Sequence, residues 1–123
     1  MADKNQKDEF YKRLIVFTVE LVKFCAELRK DRNFWVIADQ LLDSGCSIGA
    51  NIFEAKSASS KRDYIKFYEI SLKSINETIY WLIVISASTK SLATESNELR
   101  KEVEEFGRII ASSLITMKGK RKY

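Results

Sequence analysis

The sequence predicts an all-α protein: an antiparallel up-down-up-down four-helix bundle that assembles as a homo-oligomer. Three observations carry this prediction. Proline is absent and glycine occurs only four times in 123 residues, so the chain holds few obligatory turns. Apolar residues recur at spacings of three and four through four long segments, the period of a helix buried on one face. The apolar arcs of the first and third segments are wide, about 220° in the third against the ~100° stripe of an ordinary bundle helix. Excess apolar surface on a small protein marks association.

Helix one is predicted from Asp8 to Lys30, with a core stripe of Phe10, Leu14, Phe17, Leu21, Phe24 and Leu28. A second apolar row, Tyr11, Ile15, Val19, Val22 and Ala26, runs beside it. Asp31 to Asn33 form a turn whose Asp and Asn can cap the next helix. Helix two is predicted from Phe34 to Ser57, with Trp35, Ala38, Leu42, Gly45, Gly49 and Ile52 as its stripe. A mid-helix glycine costs about 1 kcal/mol relative to Ala. Gly45 and Gly49, one turn apart, are therefore read as places where a neighbouring helix comes close. The phosphate-loop alternative lacks both the glycine pattern and the preceding strand.

The clearest break is Ser57 to Asp63. Ser60 followed by Asp63 resembles a capping box, so helix three is predicted from Lys61 to Ser88, with Ile65, Tyr68, Leu72, Ile75, Ile79 and Leu82 as core. A second row on this helix, Phe67, Ser71, Ser74, Thr78, Trp81 and Ile85, is the expected oligomer interface. Thr94 is the expected cap of helix four, from Glu95 to Lys118, with the stripe Leu99, Val103, Phe106, Ile110, Ser113 and Met117. Glutamates load its first half, which suits the positive end of a helix dipole. One domain covers residues 1–123, ending in a basic tail at 118–123.

Composition excludes several classes. With 46% hydrophobic and 31% charged residues the chain is globular in type. No apolar run approaches a membrane span and the polar N-terminus lacks a signal-peptide core, so a cytoplasmic protein with no membrane partner is expected. There is no histidine, and Cys25 and Cys46 stand far apart, so no metal site is expected. Both cysteines are read as free buried thiols, a disulfide being disfavoured in the cytoplasm. Cys46, Ser44 and Ser47 lack a base, and Glu54 reads as a partly buried carboxylate paired across a helix interface. No catalytic residue, no cofactor and no enzyme activity are expected.

Charge is more suggestive. The net charge is +4, and Lys118, Lys120, Arg121 and Lys122 of the tail account for all of it. A second cluster, Lys56, Lys61, Arg62 and Lys66, faces only Asp63, and Lys73 follows on the same helix. With Tyr64, Tyr68 and Tyr123 nearby, these nine cations are the candidate contacts to a phosphate backbone. The alternative is a structural or protein-binding scaffold whose charges are simply solvated.

The stretch from Gln40 to Leu82 carries a family resemblance. Gln40, Leu41, Ser44, Ser47, Ile48, Gly49, Ala50, Asn51, Ile52, Glu54 and Ala55 fit the pattern QLxRSxxSIGANIxEA. Ser60, Lys61, Asp63, Ile65, Ile70, Leu72, Lys73, Glu77, Thr78, Tyr80, Trp81 and Leu82 fit the segment that follows it. The chain thus resembles the ribosomal-protein-like family encoded by intervening sequences within bacterial 23S rRNA genes. The resemblance implies a four-helix bundle forming a homopentamer. It also implies kinship with the accessory variability determinant protein of diversity-generating retroelements, a basic pentamer that binds nucleic acid and a reverse transcriptase. RNA, DNA and such a protein are the partners it suggests. Asp43 stands where the family carries Arg, which makes the surface of each subunit less basic.

Overall fold

Four helices carry the chain: α1 (Lys4–Leu28), α2 (Trp35–Ala55), α3 (Lys61–Ser88) and α4 (Ala93–Met117). The structure, a computed structural model, describes residues 3–119, and among these no strand occurs. Single 3-10 turns, Arg32–Phe34 and Lys90–Leu92, lead into α2 and α4. Helix α3 lies between α2 and α4, while α1 packs on α2 and more thinly on α4. The fold is an all-α four-helix bundle.

Helix ends follow local chemistry. Helix α3 spans the predicted residues because Ser60 is extended and its Oγ accepts from the Asp63 N–H at 3.0 Å. Asp63 returns its carboxylate to the Ser59 N–H at 3.1 Å, one residue earlier than in the usual box. Helix α1 begins at Lys4 and not at Asp8, because Asp3 caps it by accepting from the Gln6 N–H at 2.9 Å. Asp31 caps the 3-10 turn ahead of α2, accepting from the Asn33 N–H at 2.9 Å. Thr94 is not a cap: α4 starts at Ala93, out of the 3-10 turn, with no side-chain cap bond. Gly119 ends α4 at φ 73°, a left-handed geometry that only glycine adopts without strain.

The core is built mainly from the predicted rows. All six stripe residues of α1 are buried, as are Tyr68, Ile75 and Leu82 of α3 and Leu99, Val103, Phe106 and Ile110 of α4. Phe106 receives the edges of Phe10 and Phe17 at 5.7 and 5.5 Å. Beside them Arg13 of α1 holds Glu102 of α4 at 2.6 Å.

Two stripes shift. On α2 the buried residues are Ala38, Leu41, Ser44, Gly45, Ile48, Gly49, Ile52 and Ala55, while Leu42 is half-buried. Trp35 is exposed; its indole N–H donates to the Arg29 carbonyl at 2.9 Å and fastens the turn. On α4, Leu114 replaces Ser113 and Met117 in the core. Glu54 is exposed and makes no ion pair with a described residue.

The expected oligomer interface on α3 requires correction. Ser71, Thr78 and Ile85 are fully buried inside one subunit, and Phe67, Ser74 and Trp81 are half-buried. The apolar arc of α3 is wide because two helices flank it. The small hydroxyl residues of that row seat α2: Ser71 Oγ donates to the Ile48 carbonyl at 2.9 Å, Thr78 Oγ1 to Ser44 Oγ at 2.9 Å, and Ser74 Oγ to Ser47 Oγ at 3.0 Å. Each buried hydroxyl thereby finds a partner. The second row of α1 behaves as predicted, with Ile15, Val19 and Val22 about half exposed. With Phe53 and Ala50 of α2, Ile15 and Val19 line an apolar groove of about 280 Å³.

Candidate nucleic-acid interface

Helix α3 starts with two cations. Lys61 and Arg62 occupy its first turn, against the helix dipole, which favours negative charge at that end. Asp63 offsets one of them from within the same turn. Lys66 follows one turn later on the face of Arg62. All three are exposed and make no ion pair with any described residue. They line an open groove of about 850 Å³ with Ser59, Ser60, Asp63, Ile65, Glu69 and Met117.

The end of α4 meets this groove. Lys118, the C-cap residue, reaches Glu69 of α3 at 2.6 Å. The two are 49 residues apart in sequence, so only the packing of α3 on α4 unites them. Lys118 neutralises Glu69 there and leaves Lys61, Arg62 and Lys66 facing a single carboxylate, Asp63. Lys120, Arg121, Lys122 and Tyr123 lie outside the described residues.

The remaining candidates divide. Lys73 is exposed on the Arg62–Lys66 face of α3 and makes no ion pair with a described residue. Lys56 does not join the groove. It stands at the end of α2 with its ammonium over the Tyr11 and Phe53 rings, at 3.8 and 4.2 Å, a cation–π site. Tyr68 does not offer a face to a base: it is 2% exposed, and its hydroxyl meets that of Tyr64 at 3.1 Å. Burial, then the bond to Tyr64, pushes the Tyr68 hydroxyl well above the usual tyrosine range.

The glutamates of α4 do not neutralise the basic groove. Glu102 pairs with Arg13, Glu104 with Arg100 and Glu105 with Arg108. Glu95 and Glu98, at the start of α4, line a different groove with Glu20 and Glu102. That acidic groove and the basic one lie towards opposite ends of a 25-residue helix, roughly 37 Å long at the helical rise. A polyanion is thus drawn to one end of the bundle and repelled from the other.

Both glycines of α2 face α1, and they differ. A Cβ at Gly45 would run into Leu21 Cδ2, so the close approach is there. A Cβ at Gly49 would meet Leu14 Cβ at 3.5 Å, an ordinary contact. Cys25 and Cys46 are free thiols. Burial pushes Cys25 up to about 12 and raises Cys46 as well. Among the described residues no group of three His, Cys, Asp or Glu is placed to hold a metal ion, and no helix is long and apolar enough to cross a membrane.

The lysine and arginine cluster was visible in the sequence, but the contribution of Glu69 and the departure of Lys56 were not. A half-buried Lys7 at the start of α1, near this end of the bundle, gave no sequence signal because it stands alone in a polar segment.

A search among curated proteins finds no match. A crystal structure at 1.70 Å superposes with a TM-score of 0.79 and 31% identity, covering 85% of this chain and 96% of the other. It is a protein of unknown function from the S23 ribosomal protein family of Bacteroides thetaiotaomicron. The 23S rRNA-intervening sequence protein family matches residues 6–112, which take in all of α2 and α3 and most of α1 and α4. The chain belongs to the 23S rRNA-intervening sequence protein family.

Proposed function

We propose that this chain is a non-enzymatic, cytoplasmic protein, folded as a single up-down-up-down domain, that assembles as a homopentamer and binds RNA or DNA without sequence preference. The helix order is supported by paired contacts: Leu14 faces Gly49 while Leu21 faces Gly45, so α1 and α2 run in opposite directions. Assembly is supported by the exposed row Ile15, Val19 and Val22 on α1 and by the apolar groove beside it. The pentameric number comes from the family resemblance.

The observation that carries nucleic-acid binding is the groove at the start of α3. Three exposed cations there lack ion-pair partners among the described residues, and two of them stand in the first turn against the helix dipole. A phosphate would relieve both conditions, and symmetry would repeat the site around the assembly. The rRNA and ribosomal names of the family and of the solved relative fit such a partner. The basic residues contact phosphates, which position a strand and carry no sequence information.

The deciding experiment is a salt-titrated binding assay with a structured RNA and a DNA duplex. Binding that weakens steeply from ~50 to ~200 mM salt supports the proposal. No binding of either at ~50 mM overturns it. The chain then reads as a structural or protein-binding scaffold, for a reverse transcriptase or another protein, with the apolar groove on α1 and α2 as its contact surface.

A further inference from the structure

A second cavity, of about 390 Å³, opens at the same end of the bundle, where the start of α1 meets the start of α3 and the last turns of α4. Its lining includes Lys7, Tyr64, Tyr68, Ser113, Thr116 and Met117, and no carboxylate. Lys7 is half-buried and makes no ion pair with a described residue. Around it stand hydroxyls from two helices. Those of Tyr64 and Tyr68 are 3.1 Å apart, close enough to act on one ligand atom together.

Ser113 points to an occupant. Its Oγ is shielded from solvent and has no hydrogen-bond partner among the described residues, although most helical serines so hidden bond to their own backbone. A partnerless hydroxyl, a half-buried ammonium and a tyrosine pair around one cavity form a donor set. With no acid present, the set suits an oxyanion and disfavours a cation. Three or four donors converging from different elements match the oxygens of a phosphoryl group, and the volume is ample for one.

We propose that this cavity binds a phosphate monoester. Met117 lines both this cavity and the basic groove, so the two sites adjoin. A strand lying in the groove could set its terminal phosphate in the cavity; this part rests on the nucleic-acid reading above. The same donors would also accept inorganic phosphate or a small phosphorylated molecule.

The test uses the full chain and two probes. Inorganic phosphate is added at constant ionic strength, with chloride as control, while the melting temperature is followed. Separately, a single-stranded decamer is compared with and without a 5′-phosphate at ~50 mM salt. Phosphate is expected to raise the melting temperature, and the phosphorylated decamer to bind about tenfold more tightly, the size of one charge-assisted hydrogen bond. Lys7→Met and Ser113→Ala should each reduce both effects, with Tyr64→Phe as a milder third variant. These variants sit at the rim of the fold, and an unchanged circular dichroism spectrum checks that they are folded.

The outcomes separate the two sites. If phosphate stabilises the protein but neither decamer binds, the cavity holds free phosphate and the groove reading falls. If both decamers bind equally and inorganic phosphate does nothing, the groove stands and the cavity proposal is overturned. Phosphate effects that survive in both Lys7→Met and Ser113→Ala also overturn it, because the anion then binds elsewhere.

Discussion

Gly45 of α2 packs directly on Leu21 of α1: a β-carbon at position 45 would overlap Leu21 Cδ2, and Leu21 is itself wholly buried. The two glycines of α2 therefore predict opposite outcomes. Gly45→Ala forces Leu21 to shift in a filled core, an overpacking cost of ~1–3 kcal/mol that outweighs the ~1 kcal/mol gained in helix propensity. Its melting temperature should fall. Gly49→Ala meets Leu14 at an ordinary 3.5 Å and keeps the propensity gain, so its melting temperature should hold or rise. Equal effects at the two positions would contradict the packing of α1 on α2 described above.

Assembly should depend on α1. Light scattering coupled to size exclusion is expected to give about five times 14.2 kDa for the native chain. Val19→Glu places a charge in the centre of the exposed row Ile15, Val19 and Val22 and should yield a folded monomer. Trp81→Ala should leave the mass unchanged, since Trp81 is half-buried within one subunit. A native chain that elutes as a monomer would remove the reading of α1 as an assembly surface.

Stability should fall at alkaline pH, and Cys25 should account for part of the fall. Its folded pKa lies near 12, above the ordinary thiol value of 9.0, because burial penalises the thiolate. The raised value means that the unfolded chain releases this proton first. The contribution of Cys25 is therefore fully present below about pH 9 and is lost as pH rises towards 12. Within that window one such group changes stability by about 1.4 kcal/mol per pH unit. Urea unfolding at pH 8, 9.5 and 10.5 should show the decline, and Cys25→Ala should make it shallower. In the same protein a thiol reagent should modify the half-buried Cys46 before the buried Cys25.

Nucleic-acid affinity should track the number of free cations. Three phosphate contacts, from Lys61, Arg62 and Lys66, imply a drop of about fortyfold between ~50 and ~200 mM salt on duplex DNA. Charge reversal of Arg62 and Lys66 should weaken binding to every sequence alike and flatten the salt dependence by about two contacts per site. Deleting residues 118–123 should also weaken binding and in addition free Glu69, the partner of Lys118. Lys56→Ala should matter less, because its ammonium is already held over Tyr11 and Phe53. A strong sequence preference, or an affinity insensitive to salt, would contradict phosphate contacts as the source of binding.

The sequence by itself determined the helices. Periodicity and capping act within about one turn, so four helices, the full buried stripe of α1 and both ends of α3 were legible from residues such as Phe10, Leu28 and Ser60. The cluster of Lys61, Arg62 and Lys66 was legible for the same reason. Tertiary structure decided what each face meets. The wide arcs of α1 and α3 look alike in sequence, yet α3 is flanked by two helices and buries Ser71, Thr78 and Ile85, while α1 leaves Val19 and Val22 half exposed. It also brought Lys118 to Glu69 and Lys7 to Tyr64 and Ser113, unions of residues far apart in the chain. Contacts between helices depend on which helix lies beside which, and a pattern that repeats every three or four residues holds no record of its neighbours.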